Sequence, residues 1–105
     1  MKTLLKTSLL AAAVLAIPVI ASAADAAENW KTMCAKCHGQ NGEGKKPMKT
    51  KDYGDATVQA SFTDEEAFNA TKNGVPNTKM PAYAEKLSDA DITALVAHIR
   101  SLKKT

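Results

Sequence analysis

The sequence predicts an all-α domain of three to four helices. Three stretches carry apolar residues at the three- and four-residue spacing of amphipathic helices, and each begins at a side chain suited to capping a helix. The segments between them contain most of the glycines and prolines, and no stretch shows the alternation typical of a β-strand. The chain has 105 residues, so we expect a single small domain.

Residues 1–23 are predicted to be a cleavable signal peptide, and residues 24–105 the domain itself. Lys2 and Lys6 form a positively charged start, residues 9–20 are an uncharged apolar run, and residues 21–23 read Ala-Ser-Ala, a small-residue cleavage site. The apolar run is short for a membrane span, which makes a permanent anchor helix the less favoured alternative. We therefore expect a periplasmic protein without stable membrane insertion.

The predicted mature domain is close to the lower size limit for a self-sufficient hydrophobic core. It has 82 residues, of which five are aromatic, so a staple of some kind is expected. It carries 12 basic and 11 acidic side chains, a net charge of +1. A balance this close to neutral argues against nucleic acid as a partner.

The first helix is predicted from Ala24 to about Lys36. Its apolar residues recur at helical spacing along one face, which includes Trp30 and two cysteines. Asp25 is the predicted N-cap, with Glu28 as its capping partner. Trp30 is expected to be a core residue, because aromatic side chains dominate the cores of small proteins.

This helix leads into Cys34-Ala35-Lys36-Cys37-His38, the Cys-x-x-Cys-His pattern of covalent haem attachment. Cysteines three positions apart lie on one face of a helix, so each sulfur can add to one vinyl group of the same haem. The adjoining His38 can then offer an imidazole nitrogen to the iron. The alternatives are a redox-active or structural disulfide and half of a zinc site, which the histidine and the predicted export signal disfavour. A covalent haem would also supply the apolar mass that the small core lacks.

Residues 39–56 are predicted to be a loop around a bulky group. Three glycines, Gly39, Gly42 and Gly44, break the helix and permit tight turns. The lysines that follow either form a solvated loop or dock an acidic redox partner; they are Lys45, Lys46, Lys49 and Lys51.

A second helix is predicted from Thr63 to Asn73. Thr63 is its N-cap, Glu66 closes a capping box, and Gly74 ends the helix. The following segment, residues 75–83, is predicted to be irregular because it contains two prolines.

The last helix is predicted from about Asp89 to Lys103. Ser88 is its N-cap, with Asp91 at the third helical position. Its apolar stripe is the clearest in the chain and consists of Ile92, Leu95, Val96, Ile99 and Leu102.

A haem iron held by His38 needs a second axial ligand, for which the candidates are Met1, Met33, Met48, Met80 and His98. Met1 leaves with the signal peptide, Met33 directly precedes a haem-binding cysteine, and Met48 lies in the loop close to His38. The histidine in the last helix is expected to be a partly exposed packing residue. Met80 lies 42 residues beyond His38, which lets the chain wrap around the haem, and Pro81 keeps this segment out of a helix. Because His/Met ligation is the pattern of cytochromes c, Met80 is the predicted ligand.

With Cys34, Cys37 and His38 followed by the run Met80-Pro81-Ala82-Tyr83, the sequence resembles class I cytochromes c. It is most similar to the small monohaem bacterial periplasmic members of the c551, c5 and c6 kind. The resemblance implies that the N- and C-terminal helices cross near one covalent haem c, held through two thioethers. It also implies that Trp30 lies at this crossing.

The resemblance carries further expectations for individual residues. His98 stands where the family usually places a second aromatic side chain at the helix crossing. Pro47 resembles the proline whose carbonyl accepts a hydrogen bond from the histidine ligand. Asn77 or Thr78 is expected to donate a hydrogen bond to the Met80 sulfur.

The function that the resemblance implies is transfer of one electron between redox partner proteins by a monomeric carrier. With both axial positions of the iron filled, no site is open to a substrate, and we predict no enzymatic activity. Two alternatives remain: a five-coordinate haem sensor or enzyme domain, in which Met80 does not hold the iron, and a haem subunit docked on a larger dehydrogenase or oxidase.

Overall fold

The computed structural model describes residues 22–104, and this part of the chain is built from helices. The elements are α1 (Ala23–Asn29), a π-helical segment (Trp30–Cys34), α2 (Ala35–His38), a 3₁₀ turn (Lys46–Met48), α3 (Ala56–Ala60), α4 (Asp64–Asn73) and α5 (Asp89–Ser101). No β-strand occurs between residues 22 and 104, so the predicted all-α fold is confirmed. None of the helices found there combines the length and apolarity needed to cross a bilayer. The predicted signal peptide lies outside the described residues except for its last two positions.

The first helical stretch begins one residue earlier than predicted and has a different N-cap. The Ser22 hydroxyl accepts a hydrogen bond from the Asp25 N–H, and the Asp25 carboxylate accepts one from the Ser22 N–H. The predicted N-cap at Asp25 is therefore wrong: in this chain Asp25 is the third-position partner of a capping box that starts at Ser22.

The middle of this stretch is a π turn rather than regular α-helix. The N–H of Ala35 donates to the carbonyl of Trp30, five residues back, where an α-helix would use a carbonyl four residues back. A π turn changes the register of the helix faces before and after it. It lies directly before the Cys-x-x-Cys-His motif, and π turns are frequent at functional sites.

The two later helices form with the caps that their local sequences predict. Thr63 and Glu66 exchange hydrogen bonds of 3.1 Å at the start of α4. Ser88 and Asp91 do the same at the start of α5, also at 3.1 Å. The helix α4 ends at Gly74 as predicted, while α5 ends at Ser101, slightly before the predicted position.

The short helix α3 was not expected, because residues 39–56 were predicted to be a loop and no helix was predicted between residues 39 and 62. The carboxylate of Asp55 caps it by accepting a hydrogen bond from the Thr57 N–H at 2.8 Å. Its Gln59 is buried, and the amide group donates to the carbonyls of Tyr53 and Ile99 at 2.7 and 2.8 Å. This buried side chain attaches α3 to α5.

Arg100 attaches α5 to the segment that joins α3 and α4. Its guanidinium donates to the carbonyl of Phe62 at 2.8 Å and to the carboxylate of Asp64 at 2.7 Å. The same group lies over the Phe62 ring, 4.3 Å from its centroid, in a cation–π arrangement. This basic residue of the last turn of α5 thus has a specific packing role.

The hydrophobic core lies where the first helical stretch crosses α5. Its buried side chains are Trp30, Leu87, Ile92, Leu95 and Ile99. Trp30 is only 3% exposed, and its Nε1 donates to the carbonyls of Gly39 and Gln40, each at 3.1 Å. The indole therefore fills the core, as predicted, and also fixes the turn that follows His38.

His98 occupies the second ring position at this helix crossing. Its imidazole lies 5.4 Å from the Trp30 ring, centroid to centroid, with the planes tilted by 43°. The expectation of a partly exposed packing residue is confirmed. Burial lowers the pKa of His98, and its Nε2 has no hydrogen-bond partner among the residues described. The neutral imidazole is thus the form that this crossing favours.

We predict that His98 makes the folded protein less stable in mild acid. The pKa of His98 is lower in the folded than in the unfolded state. The stability that the folded state gains from the neutral imidazole is therefore complete above about pH 6.5 and is lost as the pH falls through the folded-state pKa. Glu28 and Lys31 line the same recess. His98→Phe keeps a ring against Trp30 but cannot be protonated. In urea unfolding of the holoprotein between roughly pH 8 and pH 5, the variant should lose less unfolding free energy than the unsubstituted protein; equal losses would contradict this prediction.

Candidate cofactor site

A cavity of about 550 Å³ brings together all four residues predicted to form the site, Cys34, Cys37, His38 and Met80. This volume lies in the range of roughly 300–1,000 Å³ that small-molecule and cofactor sites occupy. The rest of the lining is mainly apolar or aromatic and includes Tyr53, Phe62, Leu95 and Ile99. Residues far apart in the sequence thus converge on one apolar space.

Both cysteines of the motif are free thiols on one wall of this cavity. Cys34 ends the π segment and Cys37 lies in α2. Burial, and then the charge of Cys37, raise the pKa of Cys34 to about 11. A thiol that stays protonated at neutral pH is a poor nucleophile for thiol–disulfide exchange, which argues against a redox-active pair.

The zinc alternative also lacks support in the structure. Tetrahedral zinc sites are completed by further cysteine, histidine or carboxylate ligands. Across residues 22–104, no group of three such side chains is arranged to hold a metal ion. The motif therefore has no partners with which to form a closed zinc site in that region.

His38 is held between two aromatic rings at the edge of the cavity. Its ring stacks on Tyr53 at a centroid distance of 5.5 Å with 24° between the planes, and it lies 5.7 Å from Trp30. Burial lowers the pKa of His38, so the imidazole is neutral at pH 7, the form that binds metals. The sequence did not indicate that Tyr53 would stack here, because this tyrosine lies in a stretch without periodicity.

The predicted hydrogen bond between His38 and the Pro47 carbonyl is not formed. The Nδ1 atom of His38 is buried, and no group in the described part of the chain pairs with it. Pro47 is exposed in the 3₁₀ turn, which is closed by bonds from the N–H groups of Met48 and Lys49 to carbonyls within the same turn. The turn thus closes on its own backbone, and the Pro47 carbonyl does not pair with the His38 ring.

Backbone contacts join the loop after the motif to the wall that carries His38. The Thr50 hydroxyl donates to the Cys37 carbonyl at 2.6 Å and accepts from the Lys45 N–H at 2.8 Å. The Gly44 N–H donates to the His38 carbonyl at 2.8 Å. Gly44 has a φ of +80°, and a Cβ there would lie 2.6 Å from the Thr50 carbonyl oxygen, so only glycine fits.

Met80 belongs to a different wall, formed by α4 and the irregular segment after it. The Tyr83 N–H donates to the Thr71 carbonyl of α4 at 3.0 Å. The Tyr83 hydroxyl donates to the Met33 carbonyl at 3.1 Å and so connects this wall to the π segment. The predicted hydrogen bond from Thr78 to the Met80 sulfur is absent, because the Thr78 hydroxyl donates to the Val75 carbonyl instead. Asn77, the other predicted donor, is exposed.

The remaining candidates for a second iron ligand differ in whether they line the cavity. Met33 and Met48 also line the cavity, so three methionines face it. His98 does not: it lines a separate recess with Trp30 and Glu28 on the far side of the helix crossing. The structure therefore agrees with the expectation that His98 is a packing residue.

Comparison with known proteins identifies the family. Residues 21–99 match the family described as cytochrome C oxidase, cbb3-type, subunit III. The chain belongs to the c-type cytochromes. Its fold agrees with theirs, so the predicted class I cytochrome c fold is confirmed, and the family implies a covalently bound haem c.

Solved structures of c-type cytochromes resemble this chain over most of its length. The KustC0563 c-type cytochrome is 28% identical, with a TM-score of 0.69 over 75% of this chain and 98% of that chain. Cytochrome cL from Hyphomicrobium denitrificans is also 28% identical, with a TM-score of 0.62 over 75% of this chain and 46% of that one. The dihydro-heme d1 dehydrogenase NirN is 25% identical, with a TM-score of 0.60 over 70% of this chain but only 15% of NirN.

The cavity of this cytochrome fits the group that the family implies. Two free thiols lie within one helical turn, and beside them are a neutral imidazole and a thioether, which are donors suited to haem. The aromatic and aliphatic lining provides the apolar surroundings that a porphyrin needs.

The charged side chains that line the cytochrome's cavity are mostly basic. Three are exposed lysines, namely Lys49, Lys51 and Lys79, and one is an exposed carboxylate, that of Glu66. The two ion pairs found in residues 22–104 lie elsewhere, between Lys72 and Asp89 and between Arg100 and Asp64. The three lysines that line the cavity therefore present their charge to solvent.

We predict that Thr50 stabilises the cytochrome through its hydroxyl. Thr50→Val keeps the size of the side chain but removes the bonds to the Cys37 carbonyl and the Lys45 N–H, and it should lower the unfolding free energy by about 1–2 kcal/mol. Thr50→Ser keeps the hydroxyl and is the control. Urea unfolding of both holoproteins measures the difference, and equal stabilities would show that the hydroxyl contributes little.

Proposed function

We propose that this cytochrome is an exported, monomeric one-electron carrier with a single haem c. Thioethers from Cys34 and Cys37 would hold the haem, and His38 and Met80 would ligate its iron. The observation that carries the proposal is the convergence of these four side chains on one apolar cavity. When bound, the haem supplies a one-electron iron(III)/iron(II) couple.

The surroundings of His38 suit an axial ligand. Stacking on Tyr53 and contact with Trp30 restrict the rotation of the ring. Because Nδ1 is enclosed, Nε2 is the nitrogen left to bind a metal. Burial keeps the imidazole neutral, so no proton competes for this position near neutral pH.

Met80 is favoured over the other two methionines by the wall on which it lies. Met33 directly precedes Cys34, and Met48 lies in the loop that Thr50 and Gly44 join to the His38 side. Met80 lies on the wall that follows α4. A ligand from that side would place thioether and imidazole across the cavity from each other, and a soft sulfur ligand in apolar surroundings favours ferrous iron.

With both axial positions filled, this chain has no open iron site and would act as a carrier rather than an enzyme. Residues 1–23 are proposed to direct export to the periplasm. The lysines at the cavity mouth favour a redox partner with an acidic surface, bound weakly through a small interface. The nearly neutral net charge of residues 24–105 does not favour nucleic acid as a partner.

A second candidate function is that of a haem subunit docked on a larger oxidase or dehydrogenase. The description of the matching family names an oxidase subunit, and NirN contains a similar domain within a much longer chain. Purification from native membranes and periplasm under mild conditions separates the two functions. A carrier should be recovered free, and a subunit should be recovered with its larger partner.

We predict that Cys34 and Cys37 attach the haem covalently. The single variants Cys34→Ser and Cys37→Ser should each retain one thioether, and the double variant should release all haem on acid–acetone extraction, because serine forms no thioether. The pyridine haemochrome spectrum of each protein, made in a host that matures c-type cytochromes, reports the number of saturated vinyl groups. Haem retained by the double variant would exclude covalent attachment at this motif.

We predict that Met80→Ala lowers the reduction potential, by a shift on the order of 0.2 V within the ~0.8 V range that axial ligands set. The same change should open the iron to imidazole and carbon monoxide. Met48→Ala is the matched control, since Met48 lines the same cavity. Potentiometry and ligand titration of both variants check this. If Met48→Ala produces the shift and Met80→Ala does not, the ligand is Met48, and if the unsubstituted protein binds carbon monoxide readily, the sensor alternative gains.

A further inference from the structure

The segment between α4 and Met80 closes on itself. The Val75 N–H donates to the Met80 carbonyl at 3.2 Å, and the Thr78 N–H donates to the Val75 carbonyl at 3.3 Å. The Thr78 hydroxyl then joins the two ends of this loop, because it donates to the Val75 carbonyl at 2.8 Å and accepts from the Met80 N–H at 3.1 Å. Residues 75–80 are called the Met80 loop below.

Two residues with positive φ lie directly before the Met80 loop and within it. Gly74 has a φ of +74°, and a Cβ there would lie 3.0 Å from both the Met80 carbonyl oxygen and the Ala82 nitrogen. Asn77 has a φ of +63°, in the left-handed region that asparagine adopts more readily than most non-glycine residues. The loop therefore starts close to the end of α4, where an added side chain at Gly74 would crowd the backbone.

Few contacts with the rest of the protein chain keep this loop closed. Residues 75–79 are all exposed to solvent or to the cavity, which Val75, Thr78 and Lys79 help to line. Segments with few buried contacts open locally at low cost, so their hydrogen bonds determine how often they open. In the Met80 loop, a single hydroxyl, that of Thr78, both donates to the Val75 carbonyl and accepts from the Met80 N–H.

We propose that Thr78 is a positioning residue, whose hydroxyl holds the Met80 loop closed and thereby keeps the thioether of Met80 on the iron. This inference rests on the proposed function, in which Met80 is an axial ligand. It replaces the sequence-based expectation that Thr78 donates to the sulfur, since the hydroxyl proton is directed to the Val75 carbonyl. Thr78, which also lines the cavity, thus sets through Met80 how readily an external ligand reaches the iron.

The test compares ferric holoproteins carrying Thr78→Val, Thr78→Ser and Met80→Ala. Valine matches threonine in size but makes neither bond, and serine keeps both. Imidazole binding is followed by stopped-flow absorbance, and exchange of the Met80 N–H with solvent is followed by NMR. Thr78→Val should bind imidazole on the order of 5–30-fold faster than the unsubstituted protein and exchange the Met80 N–H faster by a similar factor. Thr78→Ser should stay within about twofold of it.

Ser88→Ala serves as the control for general destabilisation. It removes the hydrogen bond that caps the start of α5, and Ser88 does not line the cavity, so it should leave the rate of imidazole binding unchanged. Equal acceleration by Ser88→Ala and Thr78→Val would overturn the positioning role, and so would equal acceleration by Thr78→Ser and Thr78→Val. Faster N–H exchange in Thr78→Val without faster imidazole binding would overturn it as well.

The Met80→Ala protein distinguishes failure of this inference from failure of the proposed function. If it binds imidazole much faster than the unsubstituted protein while Thr78→Val does not, Met80 is the ligand and Thr78 does not position it. If it binds imidazole no faster than the unsubstituted protein, Met80 is not the ligand, and both the ligation and the positioning role are wrong.

Discussion

The indole of Trp30 lies where the N-terminal helical stretch, α5 and the turn after His38 meet. Its ring is almost fully buried, lies within 6 Å of the imidazoles of His38 and His98, and donates through Nε1 to two carbonyls of the turn. Burying an aromatic side chain of this size contributes on the order of 3 kcal/mol, a large share of the stability of so small a domain. The placement of His38 therefore depends on the same side chain that holds the two helices together.

Hydroxyl groups hold the cavity walls in place where secondary structure cannot. The described chain has no sheet, and its long connections obtain few hydrogen bonds from helices. Thr50 bonds to the Cys37 carbonyl, Tyr83 to the Met33 carbonyl, and Thr78 to both ends of the Met80 loop. Each such bond contributes about 0.5–1.5 kcal/mol. In each case the carbonyl or N–H involved belongs to a residue at or beside a proposed haem contact, so modest local bonds position the chemistry.

The parts of the structure that the sequence predicted well are those set by local interactions. The caps of α4 and α5 depend on side chains three residues apart, and Cys34, Cys37 and His38 are adjacent in one turn. The five-residue helix α3 is too short to show a period, and its anchor is a buried glutamine that bonds across the fold. The expected bonds of Pro47 and Thr78 failed for a related reason. Each depends on how a loop closes, and both loops close on their own backbone.

The positions of the charged side chains say more about association in this protein than its net charge does. Acidic side chains lie at the N-termini of α4 and α5, where they cap the helices and complement the helix dipoles. Lysines lie around the cavity mouth without ion-pair partners among residues 22–104. Glu66, at the start of α4, lines the same cavity as these lysines, so the positive charge there is a local excess. Since exposed charges are screened beyond roughly 8 Å at physiological ionic strength, such an excess acts on a partner at close range rather than attracting it from afar. Under the proposed function, a local charge effect of this kind would suit brief encounters with an acidic partner better than tight binding.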